Sequence, residues 1–189
     1  MRIISGTAKG TKLYTLDGLE TRPTLDRVKE SLFNIIFNEI TDSTVLDLFS
    51  GSGAIGLEFA SRGAKKVYLC DKSKDACNII KKNIEKTHLE EKVELLNSDF
   101  VKAIRDLKNK KIDIVYLDPP YKTDFIKIAI EELLKTENLT EDTLLIVETD
   151  EEERIINQME KIKGIEIADK RKYGRAYILF LKKINGKEE

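Results

Sequence analysis

The feature that most restricts this chain is an alternation between residues 44 and 181, where short apolar runs take turns with amphipathic stretches. The runs at 45–48, 66–70, 93–96, 112–117 and 144–147 are too short for helices and rich in Val, Ile and Leu, as strands covered on both faces are. The stretches between them carry apolar residues at helical spacing. Ser73 can cap a helix bearing Ala76, Ile79, Ile80 and Ile84, and Asp150 with Glu153 has capping-box spacing before Ile155, Ile156 and Met159. Strand and helix in turn build a parallel sheet with helices on its faces. Two further runs, 164–168 and 177–181, depart from this rule. Only Tyr173-Gly174-Arg175 separates them, far too little for a crossover helix, so the last strand must run antiparallel to its predecessor. The expectation is an α/β fold: a seven-stranded, mostly parallel, doubly wound sheet with an antiparallel last strand.

Ahead of the sheet, residues 2–5 and 11–14 flank a turn from Gly6 to Gly10, and a helix beginning near Thr24 carries Leu25, Val28, Leu32, Ile35 and Ile36. This segment is too small to hold a core alone. Residues 1–40 are therefore read as a hairpin-plus-helix appendage to a core at 41–184, all within a single domain of 189 residues. With 41% hydrophobic and 35% charged residues the chain has a globular composition under a heavily charged surface. It contains no apolar run able to span a bilayer and no signal peptide, so a cytoplasmic monomer is expected, without membrane contact. Cys70, Cys77 and the single histidine, His88, do not make a zinc set, so no metal is expected and the cysteines read as buried thiols.

After the first core strand comes Asp47-Leu48-Phe49-Ser50-Gly51-Ser52-Gly53-Ala54-Ile55-Gly56. Gly51, Gly53 and Gly56 satisfy the dinucleotide fingerprint, and Asp71 lies about where its ribose-binding acid belongs, so a nicotinamide oxidoreductase is a serious rival. Charge separates the two cofactors. Asp47 beside the loop would repel a pyrophosphate but favour the ammonium and sulfonium groups of S-adenosylmethionine. Asp71, with Lys72 beside it, ends the second strand, where a carboxylate can accept both ribose hydroxyls. Asp99 and Phe100 follow the third strand, placing an acceptor and an aromatic where an adenine would lie. Since ligands of open α/β sheets bind outside the carboxyl ends of the strands, Asp47, Asp71, Asp99 and Asp118 should share one edge.

The fourth strand ends in Asp118-Pro119-Pro120-Tyr121. Two prolines fix an extended turn and remove two N–H donors, leaving acceptors around the Asp118 carboxylate. Such a corner attracts an aromatic amine, whose conjugated lone pair becomes more nucleophilic when its hydrogens are accepted. Tyr121 would stack on the flat base, and no metal is needed. Carbon methylation of cytosine would require a cysteine here, and there is none. A net charge of -1 does not advertise a nucleic-acid binder. The run Lys170, Arg171, Lys172, Arg175, Lys182 and Lys183, however, reads as a basic rim without acidic neighbours. Lys172 and Arg175, with Arg22 and Arg27 from the appendage, are the candidate RNA contacts.

The loop 47–53 and the corner 118–121 resemble the cofactor and amine-methylating motifs of class I methyltransferases. Arg2-Ile3-Ile4-Ser5-Gly6, Thr21-Arg22-Pro23-Thr24, the stretch Arg27-Val28-Lys29-Glu30-Ser31-Leu32-Phe33-Asn34 and Tyr173-Gly174 are similar to the bacterial family that methylates guanine N2 in 16S ribosomal RNA. That resemblance implies a Rossmann-like class I fold, S-adenosylmethionine as methyl donor, and 16S ribosomal RNA in an assembling small subunit as substrate and partner. It also implies cofactor contacts from Asp47, Phe49, Ser50, Gly51, Gly53, Asp71, Lys72, Asp99 and Phe100, with chemistry at Asp118, Pro119, Pro120 and Tyr121. The alternatives are amine methylation of DNA adenine or of a protein glutamine, an NAD-binding oxidoreductase, or a module that only senses adenosylmethionine.

Overall fold

The computed structural model describes the backbone of residues 1–16, 23–120 and 122–184, and the side chains of all of these but 23–26. Arg22 and Tyr121 lie outside the described residues. The strands are β1 (Thr44–Asp47), β2 (Lys66–Asp71), β3 (Val93–Asn97), β4 (Ile114–Leu117), β5 (Leu144–Thr149), β6 (Ile165–Tyr173) and β7 (Ala176–Lys183). The helices are α1 (Pro23–Ile35), α2 (Phe37–Ile40), α3 (Ala54–Ser61), α4 (Lys74–Thr87), α5 (Phe100–Asp106), α6 (Phe125–Leu134) and α7 (Glu152–Met159).

All seven strands form one sheet in the order β3-β2-β1-β4-β5-β7-β6. The first five are mutually parallel, and β7 lies antiparallel between β5 and β6, as the short 173–175 link requires. Strand order reverses between β1 and β4. That switch point is where open α/β sheets leave a crevice at their carboxyl edge. Alternation along the strands divides the core into two layers. Val45, Val67, Ile114, Tyr116, Ile146 and Ile178 pack with Val28, Leu32, Phe33, Leu57, Phe59 and Ile80 of the early helices. Leu46, Cys70, Val115, Leu145 and Leu179 pack with Ile104, Ile130 and Ile155 of α5, α6 and α7.

Two local expectations are corrected. β6 extends well past the apolar run at 164–168, because its ladder with β7 carries it through Asp169–Lys172 beyond a register shift at Ile167/Asp169. As an edge strand it needs no continuous apolar sequence. The capping box at Asp150 and Glu153 does not form either. The cap of α7 is Glu151, whose N–H donates to Thr149 Oγ1 at 3.0 Å. Ser73 does cap α4, accepting from Ala76 N–H at 3.3 Å.

The N-terminal segment is tied to the core by a buried carboxylate on α3, with further hydrogen bonds from Ser61 and Asn83. Among its described residues it contains a single antiparallel bridge, Arg2 to Lys12. Glu58 of α3, with none of its side chain exposed, accepts Ile4 N–H at 2.8 Å and Ser5 N–H at 2.9 Å, and pairs with Lys29 of α1 at 2.9 Å and Arg62 at 2.7 Å. Burial alone would raise its carboxyl, but the Lys29 charge and these donors together bring it below its ordinary value. Gly6 makes the close approach sterically feasible, since a Cβ there would lie 1.9 Å from the Ser61 carbonyl oxygen. Cys70 and Cys77 are buried free thiols. Among the described residues no helix is long and apolar enough to cross a membrane.

Candidate active site

Asp47 ends β1, Asp71 ends β2, Asp99 lies just beyond β3 and Asp118 follows β4, so the parallel order brings all four to one edge. The glycine loop leaves β1 and is tied down from below. Ser50 N–H donates to the Cys70 carbonyl at 3.0 Å, and Gly53 N–H to the Ser50 carbonyl at 2.7 Å. Gly51 (φ +54) and Gly53 (φ +79) take the left-handed conformation that starts α3. A Cβ on Gly56 would meet Leu69 Cδ2 at 2.0 Å, whereas one on Gly51 would meet nothing within 4 Å. The loop is packed underneath and open above. Asp71 accepts Gly51 N–H at 2.9 Å and Ser73 N–H at 2.8 Å, so it orders the loop as well as bordering the site.

Asp47 is 1% exposed, and its Oδ1 has no hydrogen-bond partner. Burial pushes its carboxyl up to about 7. The N–H groups of Phe49 and Gly56 oppose the rise only partly, and the Asp71 charge adds to it. The Ser50 hydroxyl is spent on the Asp47 main-chain carbonyl at 2.9 Å. A buried carboxylate oxygen left without a donor is costly, and a cation or an N–H donor in the crevice above would relieve it.

Asp118 is exposed to solvent, yet it stands close to the carboxylates of Glu148, Asp47 and Asp150. Desolvation, then the charges of Glu148, Asp47 and Asp150, hold its carboxyl well above the usual range. Pro119 is buried and Pro120 exposed. The chain after the corner is braced by a residue that the sequence pattern does not single out, Arg154 of α7. Its guanidinium donates to the Thr123 carbonyl at 2.6 Å, to Asp124 at 3.0 Å and to Glu151 at 3.0 Å, and Glu151 in turn accepts Lys122 N–H at 3.0 Å. Lys122 sits at φ +61, a left-handed conformation that this bracing holds.

On the other side of the glycine loop, Phe49, Phe100 and Phe125 form an aromatic group, with centroids 5.1 Å apart for Phe49–Phe100, 5.2 Å for Phe100–Phe125 and 6.1 Å for the stacked Phe49–Phe125. Lys72 lies over the Phe125 ring at 5.7 Å. Phe125 opens α6 and is the member that motif reading misses. Asp99 accepts Val101 N–H at 2.9 Å as the cap of α5, which occupies one of its oxygens and leaves the other for an adenine amine. The basic run is less bare than its sequence suggests. Lys170 pairs with Glu152 at 2.7 Å and Arg171 with Asp169 at 2.8 Å, so the expectation of no acidic neighbours is wrong for these two. Lys172 lies over Tyr177 at 5.1 Å, Arg175 is exposed in the turn after β6, and Arg27 is exposed on α1.

The family model described as "Conserved hypothetical protein 95" matches residues 1–182. The chain belongs to this family. Its relatives include "Ribosomal RNA small subunit methyltransferase D" of Haemophilus influenzae, 37% identical over 82% of each chain. The protein of that name from Escherichia coli K12 is 34% identical over 80% of this chain and 76% of its own. The solved structure of Escherichia coli yhhF superposes with a TM-score of 0.82 at 27% identity, covering 97% of each chain. Family membership and this superposition make the sheet a class I methyltransferase fold, and a methyltransferase family sets the nicotinamide alternative aside.

Relatives named as methyltransferases imply S-adenosylmethionine as the methyl donor, and the residues present at this edge of the sheet fit it. Asp47, with its Oδ1 unpartnered, would supply negative charge for the ammonium and sulfonium groups. The open space over Gly51 admits a ligand close to the backbone. Asp71 and Asp99 each keep lone pairs for the ribose and the adenine amine.

Proposed function

We propose that the protein is an S-adenosylmethionine-dependent methyltransferase that modifies N2 of a guanine in 16S ribosomal RNA, acting on the assembling small subunit. The observation that carries this reading is the placement of Asp118, open to solvent at the end of β4 and near the buried Asp47, whose Oδ1 has no partner. The relatives named above as small-subunit ribosomal RNA methyltransferases, matching most of this chain, supply the substrate class.

The cofactor supplies an electrophilic methyl carbon on a sulfonium. Asp47 provides the compensating charge, Asp71 takes the ribose hydroxyls, Asp99 accepts from the adenine, and Phe49, Ser50, Gly51, Gly53, Lys72 and Phe100 line its approach. Asp118 accepts an N–H of the guanine amine, which raises electron density on nitrogen, and then takes up the proton that the amine loses. Pro119 and Pro120 keep competing donors out of the corner, and Tyr121 stacks on the base. Lys172, Arg175, Arg22 and Arg27 contact the RNA backbone.

Mass analysis of digested 16S ribosomal RNA from cells lacking the gene tests this. The expected result is loss of one N2-methylguanosine, restored by the wild-type gene but not by one encoding Asp118→Ala. An unchanged ribosomal RNA would reject the proposed substrate.

A further inference from the structure

A second carboxylate stands beside Asp118. The β4–β5 ladder pairs Tyr116 with Ile146 and Leu117 with Val147, so the next step sets Asp118 alongside Glu148. Alternation puts Tyr116, Asp118 and Glu148 on the same face of the sheet. Tyr116 is fully buried, and its hydroxyl donates to Glu148 Oε2. Burial and the surrounding carboxylates hold the phenol far above its ordinary range, so it stays protonated and the bond has a fixed direction. The remaining oxygen of Glu148 is left for another donor, at a half-buried position bordering the Asp118 corner.

Two adjacent acceptors match one nucleobase edge. Guanine presents N1–H and the N2 amine side by side, whereas adenine and cytosine present a ring-nitrogen acceptor next to their amines, and a base drawn from its stack is read along this edge. We propose that Glu148, held by the Tyr116 hydroxyl, accepts the N1–H of the target guanine while Asp118 accepts from its amine. Glu148 is thus the residue that selects the base. This rests on the guanine-N2 reading and adds to it the source of base choice. Burial beside Asp118 raises the Glu148 carboxyl as well, so the selection operates in its ionised form. That acceptor, facing a ring-nitrogen lone pair, is repelled and left without its hydrogen bond, the arrangement that discriminates most strongly between similar substrates.

The test compares unmethylated small-subunit substrate carrying guanine or 2-aminopurine at the modified position. 2-Aminopurine keeps the N2 amine but offers a lone pair at N1. The wild-type protein should prefer guanine by about 10- to 100-fold in single-turnover methylation, the range expected of one good base-edge contact. Glu148→Gln keeps an oxygen for the Tyr116 hydroxyl and turns an amide N–H toward the base. The guanine preference should disappear or reverse, with adenosylmethionine affinity unchanged. Tyr116→Phe, which removes only the hydroxyl, should lower the same preference while retaining the core. A guanine to 2-aminopurine ratio equal to wild type in both variants overturns the role of Glu148. If the wild-type protein methylates the particle at an atom other than guanine N2, the guanine reading itself falls and the proposal with it.

Discussion

Asp71 accepts from Gly51 N–H and Ser73 N–H at once, so a single carboxylate joins the cofactor loop to the start of α4. Its removal therefore acts twice, through lost ribose hydrogen bonds and through a loosened loop. Asp71→Ala is expected to weaken adenosylmethionine binding by at least about 1 to 3 kcal/mol, the usual worth of hydrogen bonds to a charged group. Titration calorimetry checks this, and an unchanged dissociation constant would remove Asp71 from the site.

Asp47 carries a stability penalty in the ligand-free protein. Its folded-state value of about 7 lies above the ordinary 3.8, so between these pH values the folded chain holds a proton that the unfolded chain has released. The contribution of this group to stability is fully present below the ordinary value and is lost as pH rises through the folded value. Asp47→Asn has no such titration. It should melt higher than wild type at pH 8, by an amount that shrinks toward pH 4, while losing adenosylmethionine affinity. A melting difference that does not vary with pH would show that Oδ1 has a donor in solution.

Asp118 stands beside the target amine rather than the cofactor in the proposed chemistry. Asp118→Ala should abolish single-turnover methyl transfer and leave adenosylmethionine binding nearly intact. Survival of the wild-type rate would disprove the proposed role. Because burial and acidic neighbours raise this carboxyl, the rate should climb with pH as the group ionises in the substrate-bound site.

Arg154 braces the segment that follows the corner without reaching the acceptor. Arg154→Ala should lower kcat while the KM for adenosylmethionine stays near wild type, because the segment after the corner loses the guanidinium that ties together Thr123, Asp124 and Glu151. Parallel losses in both constants, or loss of folding by circular dichroism, would mark it as a general structural support instead.

Salt dependence tests the RNA grip. Lys170 and Arg171 already have carboxylate partners, so Lys172 and Arg175 are the members of the turn offered to phosphate. Each neutralised phosphate adds roughly 0.9 or less to the slope of log affinity against log salt. The double variant Lys172→Ala, Arg175→Ala should therefore bind more weakly and with a shallower slope, at unchanged cofactor affinity. Equal binding and an equal slope would place the grip elsewhere.

What the sequence shows depends on the range of the interaction. The strands are legible because burial on both faces demands apolar runs such as Val45-Leu46 and Ile114–Leu117. The acids at their ends are legible because parallel topology carries every strand terminus to one edge. The glycine loop and the Asp-Pro-Pro corner are local motifs, with their chemistry written in neighbouring residues. Arg154, Phe125 and the Tyr116–Glu148 pair are not local. Arg154 meets Thr123 across 31 positions, and Tyr116 meets Glu148 across 32. Nothing in the flanking residues of either partner marks the other. The pairing of Lys170 with Glu152, 18 positions apart, is hidden for the same reason, and it is why the basic run looks stronger in sequence than in space.

The position of β7 governs how the molecule can be made. β7 follows β6 in the chain, yet it is inserted between β5 and β6. Until residues 176–183 are synthesised, β5 has an unsatisfied edge and β6 has no strand to join. A nascent chain stalled before Ala176 would present an apolar, hydrogen-bond-hungry border, a template for pairing with other chains. A chain that ends before Ala176 should therefore aggregate and be cleared by proteolysis rather than fold into a working enzyme.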